Sequence, residues 1–279
     1  MVCVICKLKD NQVEIFKENL LIVLKCQSCG SIYSNFKPET KHLGSEDMVN
    51  AIKINKSKMN LLEFIRFFVA RIVFKSTAKF DYEYIKKHTN KQKFKSALDI
   101  GAQYGFLINN LLKNGIDAHG IDAIEHPHSV SDKIDYIFFS ENYDNKNLKY
   151  DLIILGDILQ LTKNPVKVLE KIFSMLEKDG CLLITTVNPN CNNRQDFIKR
   201  TKDWYLTFIG KQGFELICKE NDCSLIKLDY FDPQLYTVKS DLADKLKVIM
   251  SLVKYFFKIN KGFKKNEKGI RQYILIKKL

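Results

Sequence analysis

Residues 96–107 read SALDIGAQYGFL, and the chain reaches GID at 120–122. An apolar run that stops at a glycine reads as a buried strand with a sharp turn at its end. Glycine adopts backbone angles closed to other residues and puts no Cβ between chain and ligand. Gly101 and Gly105 fill that role here. Asp122 ends the following strand about 20 positions later, where an acid meets a ribose diol in folds of this kind. The pattern predicts an adenosine-containing ligand lying across the first two strands of a sheet.

On either side the text alternates strand and helix. After SALDIG (96–101), a helix is expected over 104–115, ending at Gly115, then a strand over 117–122. KIDYIFF (133–139) and YDLIILG (150–156) read as the third and fourth strands. Asn164 is placed to cap a helix starting at Pro165, in which Val168, Leu169, Ile172, Phe173 and Leu176 recur at helical spacing. Asp179-Gly180 should turn the chain into a fifth strand over 181–188. A helix from Trp204 to about Asn221, a strand over 224–231, a Lys-rich helix over 242–259 and a final strand over 271–278 complete the run. Such alternation needs a parallel sheet with helices on both faces. The expected fold class is α/β, a Rossmann-like doubly wound, mostly parallel seven-stranded sheet with helical additions.

What the turn lacks narrows the ligand. Dinucleotide folds use G-x-G-x-x-G so that amides at a helix N-terminus cradle a pyrophosphate. Here the spacing is G-x-x-x-G, and Asp99 stands two residues before the first glycine. An acid beside the bend suits a ligand with positive charge and no phosphate, as S-adenosylmethionine has in its ammonium and sulfonium groups.

Together, LDIGAQYG, Asp122, YDLIILGDILQLTKNP (150–165) and DGCLLITTVNP (179–189) resemble the class I S-adenosylmethionine-dependent methyltransferases over residues 95–279. The resemblance implies that Asp99, Gly101, Gln103, Gly105 and Asp122 bind the cofactor, with Gly156, Asp157 and the stretch to Leu159 near its methionine end. Two positions depart from the family. Glycine is usual where Gln103 stands, which would set the loop further from the cofactor. Glu-His is common where Gln160 and Leu161 stand, so the obvious general base is missing. Asp157 is the candidate catalytic acid or base facing the substrate, or else it caps the following helix. Glu141, just past the third strand, is a candidate adenine contact. His126 and His128 either reach the adenine side or lie on the surface, and Trp204 and Tyr205 either wall a substrate pocket or anchor a helix.

The second motif is Cys3-Val-Ile-Cys6 with Cys26-Gln-Ser-Cys29-Gly30, two C-x-x-C knuckles flanking strand-like text. Four thiolates so spaced converge on a tetrahedral Zn2+, which would be structural because no coordination position stays open. A module this small has no sufficient core of its own, so metal binding would hold it together. Cys181, Cys191, Cys218 and Cys223 lack knuckle spacing and read as buried thiols. With CQSCGSIYSN included, this part resembles the zinc-binding module that precedes some methyltransferases acting on sugars and other small metabolites. A ribosomal RNA guanine methyltransferase family also pairs such a module with this fold.

A net charge of +13 admits nucleic acid or an anionic membrane as partner, but only five of 45 basic residues are Arg, the better fork for phosphate. Residues 60–74 and 242–259 are apolar on one side and too short and charged to span a bilayer. They would pack on the sheet or lie peripherally on the inner face of a membrane. The opening residues, charged by position 7, are not expected to act as a secretory signal. The expected organisation is a zinc ribbon (1–36), a helical linker or lid (37–95) and a Rossmann-like methyltransferase domain (96–279) with a Lys-rich insertion at about 240–265. The expected activity is cytoplasmic methyl transfer from S-adenosyl-L-methionine to a small molecule, a sugar or cell-envelope glycan precursor. RNA methylation and a non-catalytic scaffold are the alternatives.

Overall fold

A computed structural model describes residues 2–19, 21–34, 61–89, 94–126, 129–144, 147–162, 164–192, 198, 207–232 and 264–279, with side chains of the first helix from 73 onward. The linker at 37–60, His128, Trp204, Tyr205 and the Lys-rich 242–259 stretch lie outside the described residues.

Three strands open the chain: β1 (Gln12–Glu18), β2 (Leu21–Cys26) and β3 (Ile32–Ser34), paired antiparallel. Helix α1 (Leu61–His88) follows. The main unit then runs β4 (Ser96–Ile100), α2 (Phe106–Lys113), β5 (Asp117–Asp122), β6 (Ile134–Tyr136), β7 (Tyr150–Gly156), α3 (Pro165–Met175) and β8 (Leu176–Val187). After β9 (Thr207–Phe208) come α4 (Lys211–Glu220), β10 (Cys223–Asp232), β11 (Lys264–Lys265) and β12 (Arg271–Lys278).

The main sheet has the order β11-β10-β12-β8-β7-β4-β5-β6. Its pairings from β8 to β6 are parallel, and β12 enters antiparallel between β8 and β10. This is the Rossmann-like sheet of seven strands, with the two-residue β11 added at one edge. Both faces are covered, which is why β4, β7 and β8 read as unbroken apolar runs. One face buries Val168, Leu169, Ile172 and Phe173 of α3 with Phe214 and Ile217 of α4. The other buries Leu107, Ile108 and Leu111 of α2 with Ala78, Tyr84 and Ile85 of α1. The second half of α1 is therefore part of the core layer.

The structure differs from the expected elements at four points. The third strand ends at Tyr136, because its partner β5 stops at Asp122 and no further ladder is available; Ile137 and Phe138 come to the surface. The fifth strand begins at Leu176, and Asp179, with φ 62°, and Gly180 form a bulge inside it. Residues 207–208, expected to be helical, instead form β9 and extend the hairpin sheet through β3, so helix α4 starts only after Gly210. Asn164 opens α3 with its carbonyl, which accepts from the Val168 amide, while its side chain makes no cap.

The hairpin sheet is docked, and glycines permit it. A Cβ on Gly210 would stand 2.7 Å from the Cys29 carbonyl oxygen, and one on Gly213 would stand 2.8 Å from Ser31 Oγ. The Gly210 amide donates to Ser31 Oγ at 3.1 Å. Among the described residues no helix is long and apolar enough to cross a membrane.

Candidate functional site

The carboxyl ends of β4, β5 and β7 form one mouth. Gly101, at φ 84°, turns the chain out of β4; a Cβ there would press on Ile158 and the Gly156 carbonyl at 3.0 and 3.1 Å. Its amide and that of Ala102 donate to the Ile121 carbonyl, so the turn is stitched to β5. Gly105, at φ 76°, passes Ser131 too closely for any side chain, since a Cβ would lie 2.7 Å from Ser131 Cβ. Between them Gln103 takes φ 49°, the left-handed region in which glycine costs least. That explains why a glycine is usual there.

Asp122 is buried at the end of β5 and faces this loop. Its Oδ2 accepts from the Gln103 amide at 2.7 Å and its Oδ1 from the Ile124 amide at 2.9 Å. The loop at Gln103 is tied directly to Asp122. Each carboxylate oxygen accepts more than one bond, so both keep capacity for a diol. His126 places Nε2 3.8 Å from Asp122 Oδ1 and its ring 5.0 Å from that of Tyr104. It is packed against the mouth, and burial lowers its pKa.

Asp99 is buried one strand over, on the face covered by α1 and α2. Desolvation, then the charges of Asp81 and Asp122, push its carboxyl up to about 8. Asp81 projects from α1 and accepts a hydrogen bond of 2.7 Å from the Tyr273 hydroxyl on β12. Burial raises it to about 6 against the lowering effect of Arg271 and Tyr273. Arg271, at the start of β12, pairs with Asp157.

That ion pair gives Asp157 a partner. It sits at φ 55° after β7, and the short 3-10 turn Leu159–Leu161 that follows has no side-chain cap. Its carboxylate is held by Arg271 and caps no helix. Glu141 accepts from Asn164 Nδ2 at 3.1 Å and so braces the start of α3. Gln160, where a family acid often stands, is buried and accepts from Thr186 Oγ1 at 2.7 Å.

The structure thus brings Asp99, Gly101, Gln103, Gly105, Asp122, Gly156 and Asp157 to one place, leaving Glu141 in a bracing role. Sequence reasoning missed Asp81, Tyr273 and Arg271. Arg271 had a faint signal, an isolated guanidinium at the head of a strand in a Lys-rich chain. Asp81 had none, since the helical text KFDYEY reads as solvated.

At the other centre, Cys3, Cys6, Cys26 and Cys29 place their sulfurs within 4.8 Å of one another. Cys3 and Cys29 are 3.7 Å apart, and Cys6 and Cys26 3.6 Å. A zinc tetrahedron with bonds of about 2.3 Å sets sulfurs about 3.8 Å apart, so the donor set fits. Sharing a proton with Cys3 pulls Cys29 down to about 5, and that pairing, with burial, pushes Cys3 up. None of the eight cysteines is in a disulfide, and Cys181, Cys191, Cys218 and Cys223 are buried.

The family described as a methyltransferase domain matches residues 75–225. The ubiquinone biosynthesis O-methyltransferase of Yersinia enterocolitica is 23% identical over 128 residues, 42% of this chain and 49% of that protein. Its namesake from Actinobacillus pleuropneumoniae is 27% identical over 120 residues, 38% of this chain and 51% of that protein. The chain spans about half the length of these curated relatives. A SAM-dependent methyltransferase from Archaeoglobus fulgidus superposes with a TM-score of 0.50 at 16% identity, covering 72% of this chain and 93% of that one. That likeness concerns the fold.

Proposed function

Because the chain belongs to the methyltransferase-domain family, we propose that it transfers the methyl group of S-adenosyl-L-methionine to a hydroxyl of a small molecule. The observation that carries this reading is the mouth itself. A glycine bend is bound to a ribose-type acid, and two further acids lie beside it where a pyrophosphate binder would need positive charge. Asp122 would hold the ribose hydroxyls, aided by the backbone of Gly101, Gln103 and Gly105, while Asp99 and the open backbone at Gly156 would take the methionine end.

S-adenosylmethionine supplies an activated methyl group and a neutral thioether leaving group. The protein's part is to hold the acceptor oxygen in line with that methyl and to exclude water, which is where most of the acceleration arises. As the new bond forms, the acceptor's proton must leave. Asp157 is engaged by Arg271 and the Glu-His of other members is Gln160-Leu161, so the stretch after β7 offers little proton-accepting help. An acceptor acidic enough to ionise without such help suits it better. Phenols, with a pKa of about 10, are closer to that condition than sugar hydroxyls. The relatives' names, O-methyltransferases of ubiquinone biosynthesis, favour transfer to oxygen. The sugar or glycan acceptor expected from the cysteine module is the second reading, supported by that module alone. RNA is disfavoured, because the acid-lined mouth offers its phosphates no unpaired positive charge among the described residues.

We propose Zn2+ as the structural ion of the four-cysteine cluster, on the fit of its sulfur spacings. The acceptor is tested with methyl-labelled S-adenosylmethionine against dihydroxybenzoates, nucleotide sugars and bulk RNA. Label in the phenols is expected. Label in sugars would establish the second reading, and label in none of them would refute small-molecule transfer to these classes.

A further inference from the structure

One acid in the mouth has no assigned role. Asp81 is buried, comes from α1 and not from the sheet, and is held by the buried Tyr273 hydroxyl. Tyr273 belongs to β12 and Asp99 to β4, with β8 and β7 between them. Three strand spacings separate the two by about 14 Å. An acid that touches Tyr273 and also acts on Asp99 therefore stands above the two intervening strands. Its charge acts on Asp99 more strongly than that of Asp122 does.

Below Asp81 the floor is open. Residues of β7 alternate between faces, and Gly156 falls on the α1 side with Leu152 and Ile154, which pack in the cluster containing Tyr273 and residues of α1. A Cβ on Gly156 would meet nothing nearer than Thr185 Oγ1 at 3.9 Å. Asp99, more than nine-tenths buried, faces this space without a hydrogen bond from any described residue. Arg271, the described cation that acts on Asp81, is already paired with Asp157. Acids crowded around a space, with the one guanidinium near them among the described residues engaged, leave a deficit of positive charge there, which a bound cation would make good.

We propose that Asp81 is a second cation-binding carboxylate of the donor site, which with Asp99 holds the positively charged methionine end of the cofactor above Gly156. This rests on the donor reading given above. Tyr273 acts as a positioning residue: its hydroxyl fixes the Asp81 carboxylate, and β12 thereby contributes to donor binding from outside the strands that carry the glycine bend.

Titration calorimetry of the full chain with three probes separates the possibilities. Adenosine keeps the ribose hook and lacks the charged tail; S-adenosylhomocysteine restores the ammonium; S-adenosylmethionine adds the sulfonium. Asp81→Asn should weaken S-adenosylmethionine about ten-fold or more, the size of a lost charged contact, and leave adenosine within about two-fold. A parallel loss for S-adenosylhomocysteine assigns Asp81 to the ammonium, and a loss for S-adenosylmethionine alone assigns it to the sulfonium. Unchanged S-adenosylmethionine affinity, or equal weakening of all three probes, would overturn the proposal. If Asp81→Asn does not fold, Tyr273→Phe gives the same contrast with a smaller loss, and the same two outcomes overturn it. A wild-type chain that binds none of the probes removes the donor reading itself, and this inference with it.

Discussion

Asp99 is held protonated by its surroundings, and that sets a sign for the pH dependence of the ligand-free protein. An unfolded aspartate titrates near 4, whereas in the native chain burial and the neighbouring Asp81 and Asp122 hold Asp99 up to about 8. Between those values the folded state keeps a proton that the unfolded state has released. Stability is therefore highest below about 4 with respect to this group and declines as pH rises through about 8. Asp81, at about 6, adds in the same direction over the lower part of the window. His126, lowered by burial, opposes both at acid pH. Asp99→Asn should melt higher than the parent at pH 8 without ligand and bind S-adenosylmethionine less tightly, because the amide carries no charge to desolvate or to offer. Thermal unfolding between pH 5 and pH 8.5 checks the first part; equal melting at pH 8 would contradict it. Arg271→Ala should release Asp157 and lower the melting temperature by the few degrees that correspond to about 1–3 kcal/mol, since it strands a half-buried carboxylate. An unshifted transition would show that the pair is not formed in solution.

At the scale of elements, α4 and the second cysteine knuckle meet backbone to backbone. Gly210 meets the backbone of Cys29 and Gly30 at less than 3 Å from where a Cβ would be, and backbone cannot rotate aside. Gly210→Ala should cost about 1–3 kcal/mol, as overpacking does, and should speed metal loss to a chromophoric chelator several-fold. Equal release rates in parent and variant would contradict the packing described for this junction. This junction was not legible in the sequence, because β3 and β9 are about 170 positions apart and a two-residue strand has no periodicity to detect. The long elements were legible for the converse reason. Strands buried on both faces carry continuous apolar text, and α3 repeats its buried residues every three or four positions. Where a boundary shifted, a partner decided it: β6 stops where β5 stops, and β8 starts early by pairing Leu176 with Tyr150.

The whole molecule sets a basic body against an acidic mouth. Its net charge is +13, yet Asp81, Asp99, Asp122 and Asp157 gather at one end of the sheet. Asp99, Gly101, Gly105 and Asp122 could be placed beforehand because a strand end and a fixed interval locate them. Asp81, Tyr273 and Arg271 could not, since they arrive from a helix before the motif and a strand far beyond it, and only the antiparallel insertion of β12 beside β8 unites them. The cysteine module joins this unit through a shared sheet and a shared apolar cluster, so metal should matter beyond the module. One zinc per chain is expected by elemental analysis, and its removal should lower the melting temperature of the entire protein. An unchanged melt after complete removal would mean that the hairpin folds without it.

The central claim is that the glycine bend and Asp122 grip the adenosine of a sulfur-bearing donor. Its most direct test is S-adenosylmethionine binding by the intact chain and by Asp122→Ala, followed by calorimetry. The account predicts one site per chain in the parent and an affinity reduced at least about ten-fold in a folded Asp122→Ala, the worth of a charged acceptor lost from a ribose pair. The same affinity in both proteins would contradict it.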